Sequence, residues 1–557
     1  MKKIIIMLAT IAGTLMLATS CIEELDPQGS TVTGEQAGNA PGAFNNFVST
    51  ITSTLAGQFG YSPSETDAYD FGYPTFFLMR DMMGQDMAPT ITSGTEWYMT
   101  WYSYSSGLRP SSGYTQMPWT YYYGWIKNCN TVLTLAGETP SEEQKSGAGI
   151  AYAMRAMFYL DLARMYANKT YAADKTAETV PYVSEKTTIP ELANNPRLTN
   201  EAMFGNILAD LDKAEEYLAG YQRADKYTPD LSVVYGLKAR AYLTMEDWAN
   251  AEKYAKLAMD GYAVLTQEEY TDRKNGFNTP NNNSWMFALR YKPDDPNITQ
   301  NDADSSWGSQ MIMEVAGFGY ASTYGAQKII DRHLYETVPA TDCRKKCYLD
   351  FDIDNIEEED ELIAALSKYS DYPESLMVAA NASEAKTFGG FSLKFRANGG
   401  AEGHTNQYIG FCVSVPLMRV EEMKLIEAEA VGMQNEAAGI ALLEAFGKQR
   451  DANYTYGRHN EAYGNSATSA FRNEIWWQRR IEFWGEGMAA FDIKRLQKSV
   501  IRSYAGTNHP EGFRWNSAGV PEAMNYCIVQ SETNYNSACT NNPTPTQPSS
   551  DSPEYAW

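Results

Sequence analysis

The chain has 557 residues, and Asp plus Glu (69) outnumber Lys plus Arg (45), for a net charge of −24 with His neutral. So acidic a chain repels phosphate backbones, which excludes nucleic acid as a main partner, while 43% hydrophobic and 20% charged residues exclude disorder. Aromatics are abundant and lean towards Tyr (38) and Trp (12) against Phe (21), a bias that suits wet, hydrogen-bonding surfaces as well as cores.

Met1-Lys2-Lys3 followed by the apolar run Ile4 to Leu17 reads as a secretory leader, too short to span a bilayer. Leu17-Ala18-Thr19-Ser20-Cys21 resembles a bacterial lipobox, with Ala18 where Leu is commonest, and predicts that Cys21 is lipidated after residues 1–20 are removed. Residues 21–42 show no period and read as a tether, reaching at most about 3.5 Å per residue. No later run is long enough to span a membrane, so the lipid is the expected anchor.

The strongest signal beyond the tether is helical. Ile150 to Tyr166 repeats apolar residues at helical spacing, and Thr199-Asn200-Glu201 caps a helix over 202–218. Residues 237–260 break near Met245-Glu246-Asp247, and Ala239, Tyr242, Ala251, Ala255 and Ala258 fall at the offsets of a tetratricopeptide helix pair. Further helices are expected over 417–430 and 437–446, and over 475–496 with a break at Gly485 and Gly487. The fold class is therefore mainly α, a tetratricopeptide-like helix-pair scaffold over 43–540. Long irregular insertions fall at about 60–125 and 275–415. Residues 541–557, rich in Pro, Ser and Thr, read as a loose tail.

The six remaining cysteines are too sparse for a disulfide scaffold. Cys343 and Cys347 fit one helical face, and whether Cys527 and Cys539 pair is left open. Asp350, Asp352, Asp354 and Glu361 have the spacing of a calcium-binding EF-hand loop, with Asn355 in place of its Gly. The competing reading is a solvated acidic stretch before a helix over 360–369. Signature motifs of serine hydrolases, zinc proteases and nucleotide-binding enzymes are absent from the sequence. Glu482 and Glu486 beside Arg479 and Arg480, and Glu422 and Glu429 with Arg419, read as Arg–Glu ties between scaffold helices. A glycoside hydrolase built on such a carboxylate pair is the reading from another functional class.

Four blocks carry a resemblance: AYAMRAMFYLDLARMYAN (151–168), NILADLDKAEEYL (206–218), PLMRVEEMKLIEAEA (416–430) and RRIEFWGEGMAAFDIKRL (479–496). In this order, behind a lipobox and around a tetratricopeptide-like pair, they resemble the SusD/RagB family of surface glycan-binding lipoproteins. Gln478 departs from the Glu common there. The resemblance implies a non-catalytic protein at the cell surface, lipid-anchored in the outer membrane. It also implies a SusC-like TonB-dependent transporter as partner, to which oligosaccharides are delivered. A peptide-capturing subunit, as some family members are, is the alternative binding role.

Sugars stack their C–H faces on Trp and Tyr, so the ligand site is expected among loop aromatics. Trp119 to Trp125 leads into a core helix and reads as packing. Trp97, Tyr98, Trp101 and Tyr102 lie among Ser, Thr and Gly without period. The resemblance implies that this loop and the long insertion grip glycan together, which nominates Trp285, Tyr291, Trp307 and Tyr320. Arg80, Asp81 and Asp86 are the candidate polar contacts.

Overall fold

The structure, a computed structural model, describes residues 42–57, 69–92, 94–380 and 389–557. The leader, Cys21 and all of the tether but Gly42 lie outside them. Eleven helices form the frame: α1 (Ala43–Ser53), α2 (Thr75–Met82), α3 (Gly113–Ala136), α4 (Lys145–Tyr166), α5 (Asn200–Tyr217), α6 (Leu231–Met245), α7 (Trp248–Ala258), α8 (Val420–Gln434), α9 (Glu436–Arg450), α10 (Ala470–Glu482) and α11 (Ala489–Leu496). From α3 to α9 each helix packs on the next in one continuous array, in which α7 lies directly on α8 although some 160 residues separate them in the chain. Among the described residues no helix is long and apolar enough to cross a membrane.

Local chemistry explains the helix starts. The side chains of Thr199, Asp230, Asp247, Asn435 and Ser469 accept hydrogen bonds from free backbone amides at the first turns of α5, α6, α7, α9 and α10. Between α6 and α7, Ala239, Ala251, Ala255 and Ala258 are buried. Their small side chains let the axes approach, and Tyr242 stacks on Tyr254 with ring centroids 5.5 Å apart. Residues 475–496 divide into α10 and α11 where Gly485 and Gly487 take positive φ of 79° and 76°, values that glycine adopts without the Cβ clash.

The α8–α9 crossing depends on glycine in a different way. A methyl on Gly439 would overlap the Gly432 backbone and the Phe471 ring. Gly439→Ala is therefore expected to destabilise the fold by about 2 kcal/mol, overpacking outweighing the roughly 1 kcal/mol gained in helix propensity. Urea unfolding followed by circular dichroism checks this; an unchanged midpoint would show that the two helices can move apart freely.

Three two-stranded antiparallel ribbons tie the excursions to the frame: β1 (Met87–Pro89) with β5 (Lys328–Ile330), β2 (Glu178–Pro181) with β3 (Arg197–Thr199), and β4 (Trp285–Arg290) with β6 (Ser414–Arg419). The β4–β6 ribbon closes the neck of the long insertion, pairing Trp285 with Arg419 and Arg290 with Ser414. Residues 417–419, expected as helix, are thus strand. The pairing with β4 supplies their backbone bonds, and the helix starts one residue later.

Two other expectations are corrected. The chain beyond Asn541 is tied down rather than loose. Asn542 donates to the Tyr166 and Tyr526 carbonyls at 2.7 and 2.8 Å, the Tyr555 amide donates to Ser503 at 2.8 Å, and the Trp557 ring stacks 3.5 Å from His333. The acidic stretch at 350–361 does not form a calcium loop. Asp350 caps a short 3₁₀ turn over Phe351–Asn355 and accepts from the Tyr335 hydroxyl at 2.8 Å. Asp354 accepts from the Gly389 amide at 2.7 Å, and the solvent-exposed Glu361 lies on the helix Glu359–Leu366. Among the described residues no cluster of three or more His, Cys, Asp or Glu converges as a metal site.

Candidate functional site

The β1–β5 ribbon builds the site. Its antiparallel register pairs Pro89 with Lys328, so the chain leaving β1 towards Trp97 and the chain entering β5 from Tyr320 lie at the same end. There the Trp97 and Tyr320 rings meet edge to face, centroids 6.2 Å apart. Tyr324 lies 5.2 Å beyond Tyr320, and Tyr69 and Tyr114 continue the row behind Trp97, the first 5.8 Å from it and the two 5.5 Å apart. Trp97, Tyr114 and Tyr320 are partly exposed and Tyr324 is 43% exposed. Two candidates 223 residues apart in the chain thus share one solvent-facing aromatic ridge. Tyr324 escapes sequence reasoning, although its i+4 spacing from Tyr320 puts both rings on one face of a helical turn.

An acidic group is tied to the ridge through Ser309. Ser309 Oγ accepts from the Tyr320 amide at 3.0 Å and hydrogen-bonds Asp304, whose carboxyl is pushed up to about 6 by burial and by the neighbouring Asp302. Asp302 accepts from the hydroxyl of the exposed Tyr408 at 3.1 Å.

The remaining candidates are internal. Tyr98, Trp101, Tyr102, Trp285, Tyr291 and Trp307 are each 3% exposed or less. Tyr98 bonds Thr75 Oγ1 at 2.7 Å and Tyr102 bonds His509 Nδ1 at 2.6 Å, while the Arg502 guanidinium sits 3.9 Å over the Tyr102 ring. Tyr291 donates to the Phe71 carbonyl at 2.7 Å, and Trp307 is wedged edge-on between Phe77 and Phe395. Their ring faces are occupied by protein. Burial of the Ser/Gly-rich stretch after Trp97 runs against the sequence expectation; it arises because polar tips such as the Tyr102 hydroxyl find partners some 400 residues away.

Arg80, Asp81 and Asp86 are buried too, bolting α2 and β1 to the region around α10 and α11. Arg80 Nε donates to the Gly487 carbonyl at 2.9 Å. Asp81 accepts from the Gly487 and Ala489 amides at 3.0 and 3.2 Å, and burial pushes its carboxyl up to about 7. Asp86 binds Arg480 through both carboxylate oxygens.

The carboxylates of interest to hydrolysis lie in the frame, each bound to arginine or lysine side chains. Glu482 is fully buried against Arg450 (3.0 Å), Arg419 (3.1 Å) and Arg344 (3.4 Å), which hold its carboxyl far below the usual carboxylate range. Glu486 binds Arg419 at 2.8 Å and Lys394 at 2.5 Å. The Arg–Glu ties are real, with altered partners: Arg419 takes Glu421, Glu482 and Glu486, while Glu422 pairs with Arg240 and Glu429 with Arg472 and Arg495. Arg479 and Arg480 turn to Asp492 and Asp86.

A family model described as the SusD family matches residues 255–547, more than half of the chain. The chain belongs to the SusD family. A second model, SusD-like and described as starch-binding associating with outer membrane, matches residues 74–243. Solved structures share the fold of this SusD-family chain. A SusD-like carbohydrate binding protein from Bacteroides vulgatus ATCC 8482 is 21% identical with a TM-score of 0.64, over 89% of this chain and 97% of that one. A SusD superfamily protein from Bacteroides thetaiotaomicron VPI-5482 is 18% identical (TM-score 0.64; 90% and 99% covered). Surface glycan-binding protein A from Bacteroides thetaiotaomicron, in complex with laminarihexaose, is 15% identical (TM-score 0.62; 90% and 98%). No curated protein matches the chain.

Proposed function

We propose that this SusD-family protein is a non-catalytic glycan-binding lipoprotein of the cell surface, which captures oligosaccharides and passes them to a TonB-dependent outer-membrane transporter. The observation that carries the reading is the ridge of Trp97, Tyr320 and Tyr324, partly exposed rings from separate segments in one row. Flat rings accept the C–H faces of sugars, and Asp304, tied through Ser309 to the Tyr320 backbone, offers an acceptor for sugar hydroxyls. The charge there is negative, which favours neutral saccharides over uronates or sulfated chains. Acyl chains on Cys21 would hold the protein at the membrane at about 0.8 kcal/mol per buried methylene. Tethering beside the transporter then supplies by effective concentration what a shallow site lacks in affinity.

Native electrophoresis through gels containing neutral polysaccharides tests the reading. The wild-type protein is expected to be retarded by at least one of them. Trp97→Ala and Tyr320→Ala should each weaken that interaction about tenfold, the roughly 1.4 kcal/mol of one well-placed ring. Retardation that is unchanged in both variants would overturn the assignment of the site.

A further inference from the structure

We propose that Lys328 and Glu96, with Thr90, are positioning residues that hold the two halves of the aromatic ridge in register; this rests on the glycan-binding reading of the ridge. Glu96 immediately precedes Trp97, and Lys328 opens β5, four residues after Tyr324. Their side chains are fully buried and meet at 3.0 Å. One ammonium joins three segments: Lys328 Nζ donates to Glu96, to Gln310 Oε1 at 2.9 Å and to the Ala326 carbonyl at 3.4 Å, and lies 5.3 Å from the Tyr98 ring centroid. The other Glu96 oxygen accepts from the Tyr98 amide at 3.1 Å, fixing the backbone on the far side of Trp97. Thr90 completes the tie. Its hydroxyl donates to the Gly325 carbonyl at 2.5 Å and accepts from the Gln327 amide at 3.0 Å, so the loop that carries Tyr324 is stitched to the strand that leads to Trp97.

Energetics point to geometry, not stability, as the use of this pair. Burial raises the Glu96 carboxyl and lowers the Lys328 ammonium from their ordinary values, each despite its partner. Desolvation thus outweighs attraction, and a buried pair under those conditions adds little net stability over apolar side chains of similar size. What it adds is direction. Hydrogen bonds fix angles that apolar contact leaves free, and two rings contributed by separate segments need fixed angles to share one sugar chain.

The test compares wild type, Trp97→Ala, Thr90→Val and the double variant Glu96→Leu/Lys328→Met, using the neutral polysaccharide that retards wild type most. The proteins carry 5-fluorotryptophan, and the Trp97 ¹⁹F resonance is assigned by its loss in Trp97→Phe. The double variant is expected to fold, to bind at least fivefold more weakly than wild type, and to shift or broaden the Trp97 resonance. Thr90→Val, which keeps the side-chain shape, should bind at least twofold more weakly and decides the matter if the double variant does not fold. Wild-type affinity and an unchanged Trp97 resonance in these variants, with binding weakened in Trp97→Ala, would overturn the clamp and leave the ridge standing. Wild-type affinity in Trp97→Ala, or no retardation of wild type by any neutral polysaccharide, would overturn the ridge and the clamp with it.

Discussion

Glu482→Ala is expected to destabilise the protein by about 3–5 kcal/mol, the cost of breaking a buried ion pair by removing one member. Four cations (Arg344, Lys394, Arg419, Arg450) and four carboxylates (Asp342, Glu421, Glu482, Glu486) balance in this cluster, joining β6, α8, α9 and α10 to the 342–394 segment. Removing one carboxylate leaves an uncompensated positive charge where no water reaches it. Hydrophobic repacking cannot neutralise it. The native arginines hold the Glu482 carboxyl well below its ordinary value, so its contribution is fully present above the unfolded-state pKa of about 4.3 and is lost only as pH falls through the depressed folded value. The difference in stability between wild type and Glu482→Ala, read by urea unfolding, should therefore be flat from pH 6 to 8 and shrink as pH is lowered below about 4. A loss under 1 kcal/mol at pH 7 would mean that the cluster relaxes or admits water.

Trp307→Ala should cost about 3–5 kcal/mol, the range for emptying a large buried ring, because the side chain is fully enclosed between Phe77 and Phe395. Tyr324→Ala, at a 43% exposed ring, should stay within about 0.5 kcal/mol of wild type. The contrast is the sharper prediction: one set of aromatics carries stability and the other carries binding. Chemical unfolding separates them. Equal losses in both variants would contradict the division of the aromatics drawn from their burial.

Much of the scaffold is legible in the sequence because its signals are local. Capping side chains, alanines at tetratricopeptide spacing, and glycines between α10 and α11 act within a few residues, and the helices form where they point. Residues 417–419 escape that logic. Their strand exists through pairing with β4, some 130 residues earlier, and a short apolar run such as Val415 to Met418 is ambiguous until its partner is known. Charge partners fail for the same reason. Helical spacing suggests Arg419 with Glu422 and Glu429, yet Arg419 closes β6 rather than sitting inside α8, and its guanidinium goes to Glu482 and Glu486.

The candidate site divides along the same line. Trp97 and Tyr320 stand out by residue type and by their polar surroundings. Trp101 and Tyr102, from the same stretch, look equivalent until Tyr69, His509 and Arg502 are seen to enclose them. The Lys328–Glu96 pair has no sequence signature, since its members are 232 residues apart and meet only when β1 pairs with β5.

The central claim is that the partly exposed ridge, and no buried aromatic, binds glycan. Isothermal titration of the Trp97→Ala/Tyr320→Ala double variant with the oligosaccharide that wild type binds best tests it most directly. Binding is expected to be lost, by about a hundredfold if the two single effects add, while circular dichroism and the urea midpoint stay close to wild type. Wild-type affinity in a correctly folded double variant would contradict the account.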